Sequence, residues 1–316
     1  MRKILKWVAR ALLILFIVIN AVCAWQAFIF THFSQEKVSK NHEQQSVIPQ
    51  KLNRIFGKKH PLQLVVDSLQ VPHQSLFITS GTLKLASWYL KHNTDAITKG
   101  TVIMFHGYGS SRSDIIPEAT TFYKMQYNVL MIDFRAHGNS EGNICSMGYY
   151  EAGDVKAAYS FISSVGEKNI ILWGGSMGAA SITKAMHDDH SVKPSKIILE
   201  KCFGRMTDAA GSLAHNSMHE PAQPFGTMLT FWGSVELGTY MFTMKPEQYV
   251  KKIACPVLLQ WGDHDENVSL QETENIYNNL SSPKKKLVIY PDCGHENLLL
   301  KQPALWKNSV SNFLNS

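Results

Sequence analysis

The pentad Gly174-Gly175-Ser176-Met177-Gly178 runs on directly from the apolar stretch Asn169-Ile170-Ile171-Leu172-Trp173. No other local feature of this chain restricts its fold as tightly. A helical pattern begins at once over Ser176–His187, so the serine falls where a buried strand turns sharply into a helix. A side chain two residues before or after it would collide with the neighbouring strand or helix, and glycine stands at both places. The turn then lifts the serine hydroxyl clear of the sheet. The bare string is common in unrelated proteins. Its position after a strand and before a helix is what gives it structural content.

The surrounding pattern supplies such a sheet. Ser75–Thr79 and Leu83–Leu90 read as a hairpin joined at Ser80-Gly81. Thr101–Phe105 and Asn128–Phe134 are short apolar runs typical of strands buried on both faces. Helical patterns follow at Glu118–Met125 and Tyr150–Ser163, then the strand Lys196–Glu200. Lys201–Ile253 breaks the rhythm with Gly, Pro, Met and aromatic residues and no clear strand. A structureless loop of that length is rare inside a compact domain, so the segment is expected to be an inserted helical cap. Alternation resumes with Pro256–Trp261, a helix at Leu270–Leu280, the strand Lys286–Tyr290 and a helix at Pro303–Leu314. Strands alternating with helices predict an α/β fold with a mostly parallel sheet covered on both faces.

With 316 residues the chain can hold one large α/β domain and an appendage. Arg2, Lys3, Lys6 and Arg10 lead into Ala11–Phe30, an apolar run interrupted only by Asn20 and Gln26. Such a run spans a bilayer core of about 30 Å as a helix. The alternative is a cleaved signal peptide, with small residues at Val22-Cys23-Ala24, but the apolar run continues past that point to Phe30. Four cations precede the run, and only Lys37 and Lys40 follow closely. That asymmetry favours a cytoplasmic N-terminus with the main domain on the extracytoplasmic side. The expected organisation is a transmembrane or signal-anchor segment at 1–33, a polar juxtamembrane linker at 34–70 with one short helix, and a domain at 71–316. The cap occupies about 203–252 of that domain.

The net charge of +6 is largely local, since four of the cations lie before the apolar run. A second basic cluster, Lys51, Arg54, Lys58 and Lys59, would either touch anionic head groups or form a solvated linker. No basic stripe with interleaved aromatics points to nucleic acid. Cys23, Cys145, Cys202, Cys255 and Cys293 form no C-x-x-C pair, so neither a metal nor a redox cofactor is expected.

A serine hydroxyl needs a base within hydrogen-bond reach before it can act as a nucleophile. Among the thirteen histidines, His295 in Asp292-Cys293-Gly294-His295 lies just past the last strand. In a parallel sheet the loops after the carboxyl ends converge on one edge, which is also the edge of Ser176. Asp265, in Gly262-Asp263-His264-Asp265 one strand earlier, is the expected anion that fixes the imidazole tautomer. Asp263, immediately after the strand, is better suited to shaping the turn. An oxyanion would be met by the backbone N–H of Met177, at the start of the helix, and by that of Tyr108. Tyr108 belongs to the loop His106-Gly107-Tyr108-Gly109-Ser110. His106 is expected to pack beneath that loop.

From Leu76 to the C-terminus these residues resemble the α/β-hydrolase superfamily. The resemblance includes Asp133-Phe134-Arg135-Ala136-His137-Gly138-Asn139-Ser140, similar to its D-x-R-G-H-G-x-S signature with Ala136 replacing a usual glycine. It implies that Arg135 and His137 brace the loop beside the site. The resemblance is strongest to the membrane-anchored, lipase-like and serine-aminopeptidase-like branch. Most such proteins hydrolyse carboxylic esters, while the same scaffold serves thioesterases, amidases, peptidases and haloperoxidases. The chain is therefore expected to be a metal-independent serine hydrolase of small-molecule or lipid-like acyl esters, using Ser176, His295 and Asp265. A peptidase, a thioesterase, an acyltransferase on the same residues, or a non-catalytic membrane-tethered binding module are the alternatives. Phe225, Met228, Leu229, Phe231, Trp232, Leu237, Tyr240, Met241 and Phe242 in the cap would either line an acyl pocket or pack the cap down.

Overall fold

The computed structural model describes residues 1–38, 61–93, 98–218 and 221–316. The apolar N-terminal run forms one 30-residue helix, α1 (Arg2–Thr31), long and apolar enough to cross a membrane. Its residues as far as Val18 are exposed, whereas Cys23, Ala27, Ile29 and Phe30 are buried. The exposed apolar stretch is therefore displaced toward the N-terminus of the run Ala11–Phe30. The last turns of the run are covered by the rest of the chain.

In the stretch expected to be a polar linker, β1 (Ser34–Val38) pairs in parallel with β2 (Pro61–Gln63). This pairing had no apolar alternation to announce it. The short helix expected in the linker, and the cluster Lys51, Arg54, Lys58 and Lys59, lie outside the described residues.

Eight further strands form the main sheet, in the order β10-β9-β8-β7-β5-β6-β4-β3. They are β3 (Gln74–Ser80), β4 (Leu83–Leu90), β5 (Thr101–Phe105), β6 (Asn128–Ile132), β7 (Ile170–Gly175), β8 (Lys196–Glu200), β9 (Val257–Gly262) and β10 (Lys285–Tyr290). The hairpin β3–β4 is antiparallel, β4 is antiparallel to β6, and the remaining pairs are parallel. Side chains alternate between two apolar layers, as strand geometry demands. On β5, Val102 and Met104 face the layer of α2 (Ile116–Lys124) and the C-terminal helix Pro303–Asn315, with Phe122, Trp306 and Val310. Ile103 and Phe105 face the layer of α3 (Glu151–Ser164) and α4 (Met177–Asp188), with Val155, Ala158 and Ile182. Sheet order reverses between β5 and β7, where the loops of Tyr108 and Ser176 leave the carboxyl ends; the loops of Asp265 and His295 leave the same edge after β9 and β10, on the β7 side of that reversal.

Between β8 and β9 the irregular segment folds mainly as α5 (Met206–Met218) and α6 (Ala222–Leu237). Its apolar residues divide three ways. Phe225, Met228 and Trp232 pack toward α1, and the Trp232 indole N–H donates to Asn20 Oδ1 at 3.2 Å. Leu229 and Met241 are buried, and Phe231, Val235 and Tyr240 stay exposed.

Ala136, which stands where the superfamily signature has glycine, adopts φ +59° and is fully buried. Left-handed backbone costs a residue with a Cβ about 1 kcal/mol or more. Burial of its methyl in the core returns a similar amount, so alanine is tolerated there. The glycines around Ser176 have no such latitude. A Cβ on Gly174 would lie 2.6 Å from the Gly178 carbonyl carbon, and one on Gly178 would overlap the Phe105 carbonyl oxygen. Gly178→Ala should therefore force α4 off the end of β5. The expected loss is roughly 2–3 kcal/mol, read as a Tm lowered by about 5–10 °C in thermal unfolding of the detergent-solubilised protein.

Candidate active site

Ser176 sits between β7 and α4 with φ 53° and ψ −114°, a conformation L-residues rarely adopt. Its N–H donates to the Glu200 carbonyl oxygen at 2.8 Å, which ties the turn to the end of β8. The strained turn presents Oγ to a cavity of about 340 Å³. Gly107, Tyr108, Met147, Leu213 and His295 are among its lining residues.

The structure brings the three predicted side chains into one hydrogen-bonded line. His295 Nε2 lies 3.0 Å from Ser176 Oγ. His295 Nδ1 lies 2.8 Å from Asp265 Oδ2 and 3.0 Å from Oδ1. Asp265 is fully buried at its side chain, and its Oδ1 also accepts the N–H groups of Asn267 and Val268 at 2.8 and 2.9 Å. Those donors hold the carboxylate as an acceptor, so the ring proton must sit on Nδ1 and leave Nε2 free to accept. Asp263 instead points outward and pairs with His264 Nδ1 at 2.6 Å, an ion pair that holds its carboxyl below the usual range.

The acid and histidine loops meet because Gly262 carries no side chain. A Cβ there would overlap the Cys293 carbonyl and come within 2.8 Å of the Gly294 carbonyl oxygen. His264 N–H then donates to Cys293 O at 2.8 Å. From below, Lys201 Nζ donates to the carbonyl oxygens of His295 and Glu296 at 3.1 and 2.6 Å. Sequence reading did not single out Gly262 or Lys201. The position of Gly262 at a strand end, before the acid, was the available signal.

On the other side, the loop after β5 is braced by the signature segment. His106 is fully buried; its Nε2 accepts Phe134 N–H at 3.0 Å and its Nδ1 donates to Gly107 O at 2.7 Å. Burial pushes its pKa down, which keeps it a neutral structural ring. His137 Nδ1 donates to Arg135 O at 2.8 Å, and its Nε2 accepts Gly109 N–H at 3.1 Å. Arg135 in turn grips Asp154 through Nε and a terminal nitrogen, at 3.0 and 2.7 Å. The Tyr108 hydroxyl donates to the carbonyl oxygen of Phe30, near the end of α1, at 2.8 Å. Thus the long N-terminal helix contacts the very loop whose N–H was predicted to face an oxyanion. Nothing local in the sequence announces that contact.

Two buried carboxylates also line the cavity. Glu200 Oε1 accepts from Trp173 Nε1, Gln260 Nε2 and Trp306 Nε1 at 2.9, 2.9 and 2.7 Å. Glu118 Oε1 accepts from Asn297 Nδ2 at 2.6 Å, while its Oε2 has no hydrogen-bond partner among the described residues. Burial, reinforced by the nearby Glu200 charge, pushes the Glu118 carboxyl up to about 8. Among the described residues no cluster of His, Cys, Asp or Glu could hold a metal ion. All five cysteines are free thiols.

Known proteins share this arrangement of strands and loops. A family model described as serine aminopeptidase, S33, matches residues 96–218. Protein YqkD of Bacillus subtilis is 24% identical over 223 residues, covering 69% of this chain and 72% of its own. Caffeoylshikimate esterase of Arabidopsis thaliana is 25% identical over 277 residues, covering 71% and 82%. Among solved structures, the Pyrococcus furiosus esterase Pf2001 superposes with a TM-score of 0.63 at 25% identity, covering 78% of this chain and 90% of its own. This chain's fold is that of the α/β-hydrolases, residues 96–218 carry the match to the family model, and the proteins it resembles include esterases.

The raised Glu118 carboxyl has a consequence for stability. Its folded pKa of about 8 exceeds the unfolded value, so the native state holds a proton that the unfolded chain releases. The contribution is fully favourable below pH 4–5 and is lost as pH rises through 8, at about 1.4 kcal/mol per pH unit. Glu118→Gln should flatten that slope. Urea unfolding of both proteins at pH 5 and pH 8 checks it, with the wild type expected to lose more stability over the interval.

Proposed function

We propose that this chain is a serine hydrolase that cleaves carboxylic esters through an acyl-enzyme, working at a membrane to which α1 ties it. The supporting observation is the unbroken line Ser176 Oγ, His295 Nε2, His295 Nδ1 and Asp265 Oδ2, with successive gaps of 3.0 and 2.8 Å. In this reading Ser176 Oγ attacks the acyl carbonyl carbon while His295 Nε2 takes its proton. The imidazolium is stabilised by Asp265, which already holds Nδ1–H in place. Charge developing on the carbonyl oxygen is met by the backbone N–H groups of Tyr108 and Met177, each contributing about 3–4 kcal/mol. Collapse of the tetrahedral intermediate expels the alcohol, which His295 protonates. Water then enters, loses its proton to His295 and attacks the acyl-enzyme. The acid leaves, and Ser176 recovers its proton.

An acyl ester suits the apolar wall that Met147, Phe203, Leu213 and Val268 present to the serine. It also fits the activity for which the Arabidopsis and Pyrococcus esterases are named. The cations Arg2, Lys3, Lys6 and Arg10 at the start of α1 favour a cytoplasmic N-terminus and an extracytoplasmic hydrolase domain.

Ser176→Ala should lower kcat on p-nitrophenyl esters by at least about 10³-fold. Asp265→Asn, which keeps shape but reverses the tautomer preference of His295, should cost about 10³–10⁴-fold. Steady-state ester hydrolysis by the purified full-length protein measures both. Retention of most activity in either variant would remove this assignment.

A further inference from the structure

A second cavity, of about 50 Å³, lies between the end of α1 and the cap. Ala27, Phe30 and Thr31 of α1 form one wall, and Leu229, Gly233 and Leu237 of α6 another. Its polar side chains are turned away from any ligand. Thr31 Oγ1 donates to Ala27 O at 2.8 Å, Thr230 Oγ1 to Gly226 O at 2.7 Å, and Ser146 Oγ to Glu151 Oε2 at 2.6 Å. Gly233 is buried, yet a Cβ added to it would meet open space beyond the backbone of its own helix. The space there is therefore open and lined by apolar groups.

This cavity and the one at Ser176 share two lining residues, Met147 and Leu213. Met147 is held in a left-handed backbone conformation, φ 53°. The buried Glu151 carboxylate fixes the flanking residues by accepting the N–H groups of Ser146 and Gly148 at 3.0 and 2.8 Å. A strained residue pinned at the partition of two cavities suggests that its side chain is positioned for use. Methionine is a flexible partition, able to move aside for an apolar guest.

Resting on the serine-hydrolase reading above, we infer that the small cavity receives the distal end of the substrate's acyl chain. The anchor helix is then one wall of the acyl site as well as a tether. The ligand class is an unbranched fatty acyl chain of at least medium length, carried by an ester drawn from the lipid layer. The same helices support that source. Residues 4–18 of α1 expose apolar side chains, and α6, which packs on the later turns of α1, exposes Phe231 and Val235. Ala27 and Gly233 become specificity-determining residues, because their small size leaves the room that the chain end fills.

The test uses full-length protein in detergent micelles and p-nitrophenyl esters from acetyl to palmitoyl. Within each variant, the ratio of kcat/KM for octanoyl to acetyl ester is the readout. Gly233→Leu fills the cavity from the cap, and Ala27→Leu fills it from the anchor helix. Either should lower the ratio by about tenfold or more, since each excludes several methylenes from burial. Met147→Ala opens the partition and should move the optimum to longer chains. Two filling variants guard against one failing to fold. Fluorophosphonate labelling of each protein shows whether Ser176 still reacts. An unchanged ratio in filled variants that still label overturns the acyl-site proposal and leaves the serine reading standing. Absence of labelling in the wild type would instead strike the serine reading itself.

Discussion

The approach of helix α4 to the end of strand β5, in contact with the Phe105 carbonyl, is the constraint on which the site depends. Only the missing side chain at Gly178 permits it. That contact, with the matching one at Gly174, forces Ser176 into its strained backbone conformation and turns its hydroxyl out of the sheet. The Glu200 carbonyl then holds the turn by accepting the serine N–H. Once the hydroxyl is fixed there, His295 and Asp265 need only follow the carboxyl ends of β10 and β9, whose loops press together over Gly262.

Around this centre the protein spends buried polar groups on positioning. His106 and His137 carry the loop of Tyr108 on neutral imidazole hydrogen bonds, and Arg135 with Asp154 anchors that bracket to α3. Lys201 supports the histidine loop from beneath through two carbonyl oxygens. Satisfied networks of this kind rigidify a site because breaking any member leaves a buried donor or acceptor alone. Glu118 is an exception, with one oxygen unpartnered among the described residues and its proton retained near neutrality.

Much of this fold was legible in the sequence because its signals are local. The strand Lys196–Glu200 was read with its observed bounds, and Thr101–Phe105 likewise. Asn128–Phe134 was read two residues too long at its end, where the Phe134 N–H leaves the ladder for His106 Nε2. Ser176, His295 and Asp265 could be named because a parallel sheet gathers the loops after its strands at one edge. What escaped was long-range: the Tyr108 hydroxyl on Phe30 O, the pairing of β1 with β2, and the meeting of Glu118 with Asn297. Each joins segments whose own patterns say nothing about a partner. Nor can hydropathy show that the last turns of α1 lie against the helices of the Lys201–Ile253 segment.

The central claim is that the serine at this turn is a nucleophile activated by the histidine–aspartate pair. Its most direct test is reaction of the full-length protein with a fluorophosphonate, followed by peptide mass spectrometry to locate the adduct. The account predicts a single phosphonyl adduct on Ser176, formed by the wild type and absent from His295→Ala protein that remains folded. An adduct on another residue, or equal labelling of Ser176 without His295, would contradict it.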